Sequence, residues 1–122
     1  MKRDDVARFV ELLISEIWEN HDHSKLDQFY HEDLEGYYND DKVDFASFAK
    51  EVQVHQAHRV NIKVEMADLL IDKQMFAIRG SFKLNRDSNN LVIPMIYIGY
   101  LREGKIEKCY LKSEVQLFFN YE

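Results

Sequence analysis

The chain has 122 residues, a length that fits one domain (1–122) and lets it bury a core without disulfide or metal staples. Eight Phe, seven Tyr and one Trp against four Gly and one Pro exclude a disordered, collagen-like or linker-rich chain. A net charge of −6 repels phosphate backbones and anionic lipid, so neither nucleic acid nor a membrane surface is the expected partner.

The first periodic segment runs from about Asp5 to Asn20. Val6, Phe9, Val10, Leu13 and Ile17 recur at three- and four-residue spacing, one face of a helix. Leu12, Ile14 and Trp18 widen that stripe, so the helix should be covered on more than one side. HDHS breaks the pattern. Ser24 with Asp27 three residues on approximates a capping box, which predicts a short helix carrying Leu26, Phe29 and Tyr30. LEGYY at 34–38 reads as a short strand. Asp44 is a good N-cap for a helix with Phe45, Phe48, Ala49 and Val52 on its apolar face, ending near His58–Arg59.

From Val60 the period falls to two. Val60, Ile62, Val64 and Met66 alternate with polar residues, and Phe76, Ile78, Phe82 and Leu84 do the same around Gly80. Positions 91–101 are apolar on both faces, with Pro94, Ile96, Ile98 and Tyr100 on one and Met95, Tyr97 and Leu101 on the other. A last strand is expected from Ile106 to Phe119. Reversals fall at Asp72–Lys73, at 86–90 and at Glu103–Gly104, the last a two-residue hairpin turn. Helices first and an antiparallel sheet afterwards is an α+β plan. A strand apolar on both sides needs cover on both sides. The helices supply one cover, and a second copy of the chain is the economical other.

Chemistry-bearing motifs are few. The glycines at 36, 80, 99 and 104 build no phosphate loop. The lone Cys109 excludes an internal disulfide and a CxxC zinc site, and reads as a small buried residue. His55 and His58 share a helix side, and His21 and His23 flank Asp22. No recognised metal spacing results, so these histidines read as a solvated loop and helix end, with no metal and no cofactor expected. MKRDDVARFV places two acids before any apolar run, unlike a signal peptide, and no stretch approaches the ~20 apolar residues of a membrane span. A cytoplasmic location is therefore expected.

Three stretches carry a family resemblance: IWENHDHSKLDQFYHEDLEGYY at 17–38, VEMADLLIDKQMFAIRGSF at 64–82 and GKIEKCYLKSE at 104–114. Their order resembles the SnoaL-like, polyketide cyclase-like branch of the nuclear transport factor 2-like superfamily. The resemblance implies a cone-shaped, cystatin-like fold, with N-terminal helices packed on a curved antiparallel sheet. It also implies a pocket between the two, often used for cyclisation, isomerisation or dehydration by acid–base chemistry. Glu114 falls where cyclases of this branch carry an acid–base Asp, one methylene shorter. Tyr37 and Tyr38 fall where such proteins have a His or an Asp base, and a phenol there is a hydrogen-bond donor rather than a base. Ile96 aligns with the donor position of ketosteroid isomerases and cannot donate.

The expected pocket wall is Trp18, Phe48, Phe76, Phe82, Ile96, Tyr100 and Tyr110, with Arg79 outside it. The expected function is binding of a small apolar organic molecule by a homodimer, with Glu114, Tyr37 and Tyr38 as the catalytic set if the chain is an enzyme. The alternative is a non-catalytic ligand-binding or dimerisation scaffold whose pocket is closed.

Overall fold

A computed structural model describes residues 1–86 and 89–114. Helix α1 (Arg3–Leu13) buries Val6, Phe9, Val10 and Leu13, the face its spacing predicts. It runs on as a wider turn over Ile14–Glu19, in which the Asn20 amide donates to the Ser15 carbonyl at 3.1 Å, five residues back. That widening rotates the stripe. Ile17 and Trp18 are buried while Leu12 stays exposed. A single helical turn at His23–Lys25 follows, capped by Asp22, whose carboxylate accepts from the Ser24 amide (3.2 Å) and hydroxyl (2.6 Å). The expected Ser24–Asp27 box does not form, because Asp22 already holds Ser24.

Helix α2 (Leu26–Phe29) is one turn, and β1 (Tyr30–Tyr38) starts directly after it, four residues earlier than expected. Strand β2 (Asp41–Val43) leads to α3 (Phe45–Ala57). Asp44 caps α3 as anticipated: its carboxylate accepts from the Ser47 amide at 2.8 Å, and the Ser47 hydroxyl accepts from the Asp44 amide at 3.2 Å. Strands β3 (Ile62–Asp72), β4 (Met75–Arg86), β5 (Asn89–Arg102) and β6 (Lys105–Ser113) follow. The expected extension of the last strand over Val115–Phe119, and part of the 86–90 reversal, lie outside the described residues.

The sheet order is β2-β1-β6-β5-β4-β3. All pairings are antiparallel except β1 with β6, so the sheet is mixed rather than purely antiparallel. Glu103 and Gly104 both have positive φ, as a two-residue hairpin turn requires. Strand β5 passes through Pro94 unbroken, with Pro94 opposite Ser81.

Strand β3 departs from simple alternation. A bulge between Met66 and Asp68 shifts its register against β4. Ile62 is buried and Val64 half-buried before it, Leu69 and Ile71 after it, and Met66 is turned out. Gly80 faces this bulge. A Cβ there would sit 2.2 Å from the Glu65 carbonyl oxygen, so only glycine lets the two backbones approach. The helices cover one sheet face, and the sheet's share of the core includes Phe76, Ile78, Phe82, Met95, Tyr97, Cys109 and Leu111.

Gly80→Ala should lower unfolding free energy by about 1–3 kcal/mol, the usual range for overpacking a closed site. Urea unfolding followed by tryptophan fluorescence measures it; an unchanged midpoint would mean that the bulge relaxes freely.

Candidate functional site

The expected site residues divide between the two faces of the sheet. Trp18, Tyr38, Phe48, Phe76 and Phe82 lie in the interior, each at most 6% exposed. Tyr37, Ile96, Tyr100, Tyr110 and Glu114 lie on the opposite, outer face. Strand alternation forces the split. Tyr38 points in, so Tyr37 points out; Met95 and Tyr97 point in, so Ile96 points out. The sheet itself separates the two sets.

The interior is built around hydroxyl groups. The Trp18 indole Nε1–H donates to the Tyr30 hydroxyl at 3.0 Å, fully buried. The Trp18 and Tyr97 rings meet edge-on at 4.7 Å, and Tyr97 stacks on Phe76 at 5.9 Å. Phe48, from α3, reaches the Tyr30 ring at 4.7 Å and the Tyr38 ring at 5.7 Å. Phe82 closes against Trp18 at 6.3 Å. Cys109 sits among the phenols, close to both Tyr38 and Tyr97. Gly36 leaves room for it, since a Cβ at 36 would lie 3.2 Å from the Cys109 Sγ.

Burial raises the pKa of all three phenols, Tyr30, Tyr38 and Tyr97, and pushes the Cys109 thiol up to about 11. These groups are neutral at physiological pH. They can donate or accept hydrogen bonds, but they are not bases there. The Tyr97 hydroxyl is buried with no hydrogen bond of ordinary geometry. Its polar neighbours are the Cys109 thiol, a weak partner, and the Tyr30 hydroxyl, which already accepts from Trp18. A buried unsatisfied hydroxyl surrounded by rings is uncommon in a folded chain and asks for an explanation.

The outer face has a different character. Leu70, Ala77, Ile98, Tyr110 and Tyr37 are register neighbours across five strands and form one apolar row. Tyr37 and Tyr110 stack at 5.2 Å with 12° between their planes, and Tyr100 meets Tyr110 at 6.3 Å. Beside the row lies an open groove of about 540 Å³ that includes Glu65, Arg79, Pro94, Ile96, Lys112 and Glu114 in its lining. Arg79 is outside the interior, as expected, and its guanidinium pairs with Asp68 of the same chain at 2.6 Å. Glu114 stands exposed on a bend just beyond β6, away from the interior phenols.

Sequence reading missed the histidines. His21 (3% exposed) and His55 (0%) are buried, with ring centroids 5.1 Å apart, where a solvated loop and helix end were expected. His55 continues the α3 face that carries Phe48 and Val52, spaced at 48, 52 and 55, and that spacing was the available signal. Among the described residues no group of three or more His, Cys, Asp and Glu side chains could hold a metal ion, and no helix is long and apolar enough to cross a membrane.

This architecture is the α+β nuclear transport factor 2-like fold, and solved structures that share it include proteins described as SnoaL-like. An LEH-like epoxide hydrolase of M. tuberculosis superposes with a TM-score of 0.78 at 16% identity, over 95% of this chain and 87% of that one. IdmH of Streptomyces antibioticus, described as a polyketide cyclase, gives 0.74 at 12% identity over 88% and 91%. A Jannaschia protein described as a SnoaL-like polyketide cyclase gives 0.75 at 10% identity over 91% and 86%. No family model and no curated sequence matches the chain. At these identities the likeness establishes the fold.

The interior geometry separates two phenols that look alike in sequence. Tyr30→Phe strands the buried Trp18 N–H and should cost about 1–3 kcal/mol, whereas Tyr97→Phe removes a hydroxyl with no hydrogen bond of ordinary geometry and should cost clearly less. Paired urea titrations measure both; equal losses would contradict the assignment of Tyr30 as the indole's acceptor.

Proposed function

We propose that this chain is a small-molecule-binding domain that works as a homodimer, taking a flat, largely apolar organic ligand into its interior. The Tyr97 hydroxyl carries this reading: it is fully buried and walled by aromatic rings, and it makes no hydrogen bond of ordinary geometry, with only the Cys109 thiol and the Tyr30 hydroxyl as polar neighbours. A ligand oxygen, such as a carbonyl, would satisfy it, while Trp18, Phe76 and Phe82 supply apolar contact. The phenols favour binding over proton transfer, because burial holds them neutral. Glu114, exposed on the outer groove, takes no part in this site.

The dimer reading rests on the outer face. Ile96 is 51% and Leu70 68% exposed beside the apolar row, a pattern that a second copy would cover. The groove carries Arg79 and Lys112 together with Glu65 and Glu114, so two copies related by a twofold axis can match unlike charges.

Thermal-shift screening with planar aromatic ketones tests the binding reading. The wild-type chain should be stabilised, Tyr97→Phe should lose most of the shift while keeping its own melting temperature, and Glu114→Gln should retain it. A wild-type response that survives Tyr97→Phe would move the site elsewhere, and no response to any member would favour the closed scaffold. Ile96→Asp, which puts a charge on the outer face, should convert dimer to folded monomer in sedimentation velocity. A monomeric wild type would remove the dimer.

A further inference from the structure

Among the described residues, the buried side-chain polar atoms without a hydrogen bond include Nε2 of His21 and Oε2 of Glu51. Both lie at the seam where the chain leaves the wide turn after α1 and meets the C-terminal half of α3. Three local departures coincide there. The turn over Ile14–Glu19 is wider than an α-helix, a form often found at functional positions. His21 has φ of 52°, a left-handed conformation that costs strain in a non-glycine residue. The His21 ring meets His55 edge-on, both buried. His55 lies two helical turns along α3 from Phe48, and Phe48 contacts Tyr30 and Tyr38, so the seam adjoins the interior.

We propose that the His21–His55 contact is an acid-sensitive gate: protonation separates the C-terminal half of α3 from the turn after α1 and opens a path to the interior. The role as a path rests on the ligand-binding reading; the opening itself does not.

The charges around the pair favour this outcome. His58, the C-cap residue of the same helix, acts on His55 as a like charge. The Glu19 carbonyl accepts from His21, but the Glu19 carboxylate is engaged by the Val64 amide at 2.8 Å. Asp22 is held by Ser24, Lys25 is paired with Glu16 at 3.0 Å, and Lys63 of β3 points to solvent. Glu51 brings a carboxylate to the pair, 3.9 Å from the His55 Nε2. Burial raises its pKa, so the closed form holds that proton to a higher pH than the open form does, which partly opposes the histidines.

Burial lowers the pKa of both histidines, His55 to about 4. The open form, with ordinary histidines near 6.5, binds more protons between these values. The closed form is therefore fully favoured above pH ~6.5 and loses ground as pH falls towards 4. For His55 alone, going from pH 7 to pH 5 multiplies the open population by about twenty, and Glu51 trims that figure.

Native-state hydrogen exchange by NMR, corrected for the intrinsic pH dependence, tests the gate. The His58 and Val60 amides donate to the Val54 and His55 carbonyls, at 3.0 and 3.1 Å, and report the opening. Their opening constants should rise roughly fivefold to twentyfold from pH 7 to pH 5. The rise should be insensitive to low urea, the mark of local opening. In His55→Leu it should vanish; if that variant does not fold, His21→Leu serves the same purpose. The proposal is overturned by a flat pH profile, by urea sensitivity equal to that of the Tyr97 and Cys109 amides, or by a rise that persists in the variant. No ligand enters the experiment, so it can succeed where the binding reading fails, and the reverse.

Discussion

One hydrogen bond organises this fold: the buried contact of the Trp18 indole with the Tyr30 hydroxyl. An indole N–H cannot be buried cheaply without an acceptor. Meeting that need ties the turn after α1 to the first residue of β1, and the rest of the interior assembles around the pair. Tyr97 from β5 packs on the indole, Phe48 from α3 packs on the phenol, and Cys109 from β6 sits between Tyr38 and Tyr97. Every layer of the domain contributes to this cluster, so it couples helix placement to sheet placement.

The same cluster limits what chemistry the interior can perform. Its polar groups are neutral donors and weak acceptors, and its walls are rings. Groups of this kind can meet one or two oxygens; they do not supply a strong base. Ionised groups sit instead on the outer face, where Arg79 with Asp68 and Lys112 with Asp40 are screened by water and contribute little to stability. The sheet thus presents two surfaces of different character, and alternation along each strand assigns every residue to one or the other.

That division explains what the sequence made legible and what it did not. The α+β order, the Asp44 cap, the Glu103–Gly104 turn and the two faces of β5 follow from local patterns: period, capping chemistry and positive φ at a turn. The site was harder to read. Tyr37 and Tyr38 are adjacent, so alternation shows that they part but not which one goes inward. Ile96, Tyr100 and Tyr110 share one outer face, yet nothing local marks that face as opposite to Trp18. The Met66–Asp68 bulge shifts β3 by one residue and defeats simple alternation. His21 and His55 are 34 positions apart in sequence, and their burial is a tertiary fact. Only the 48-52-55 spacing on α3 hinted that His55 belongs inside.

The function proposed for the two surfaces, a ring-walled interior and an apolar outer row, is that of a dimer that holds a small molecule. Native mass spectrometry of the purified chain tests this most directly, because it reports subunit number and bound mass together. The account predicts a dimer that carries an organic ligand, lost as a neutral species on activation and absent from Tyr97→Phe. A bare monomer, or a dimer that takes up no planar ketone even in excess, would contradict it.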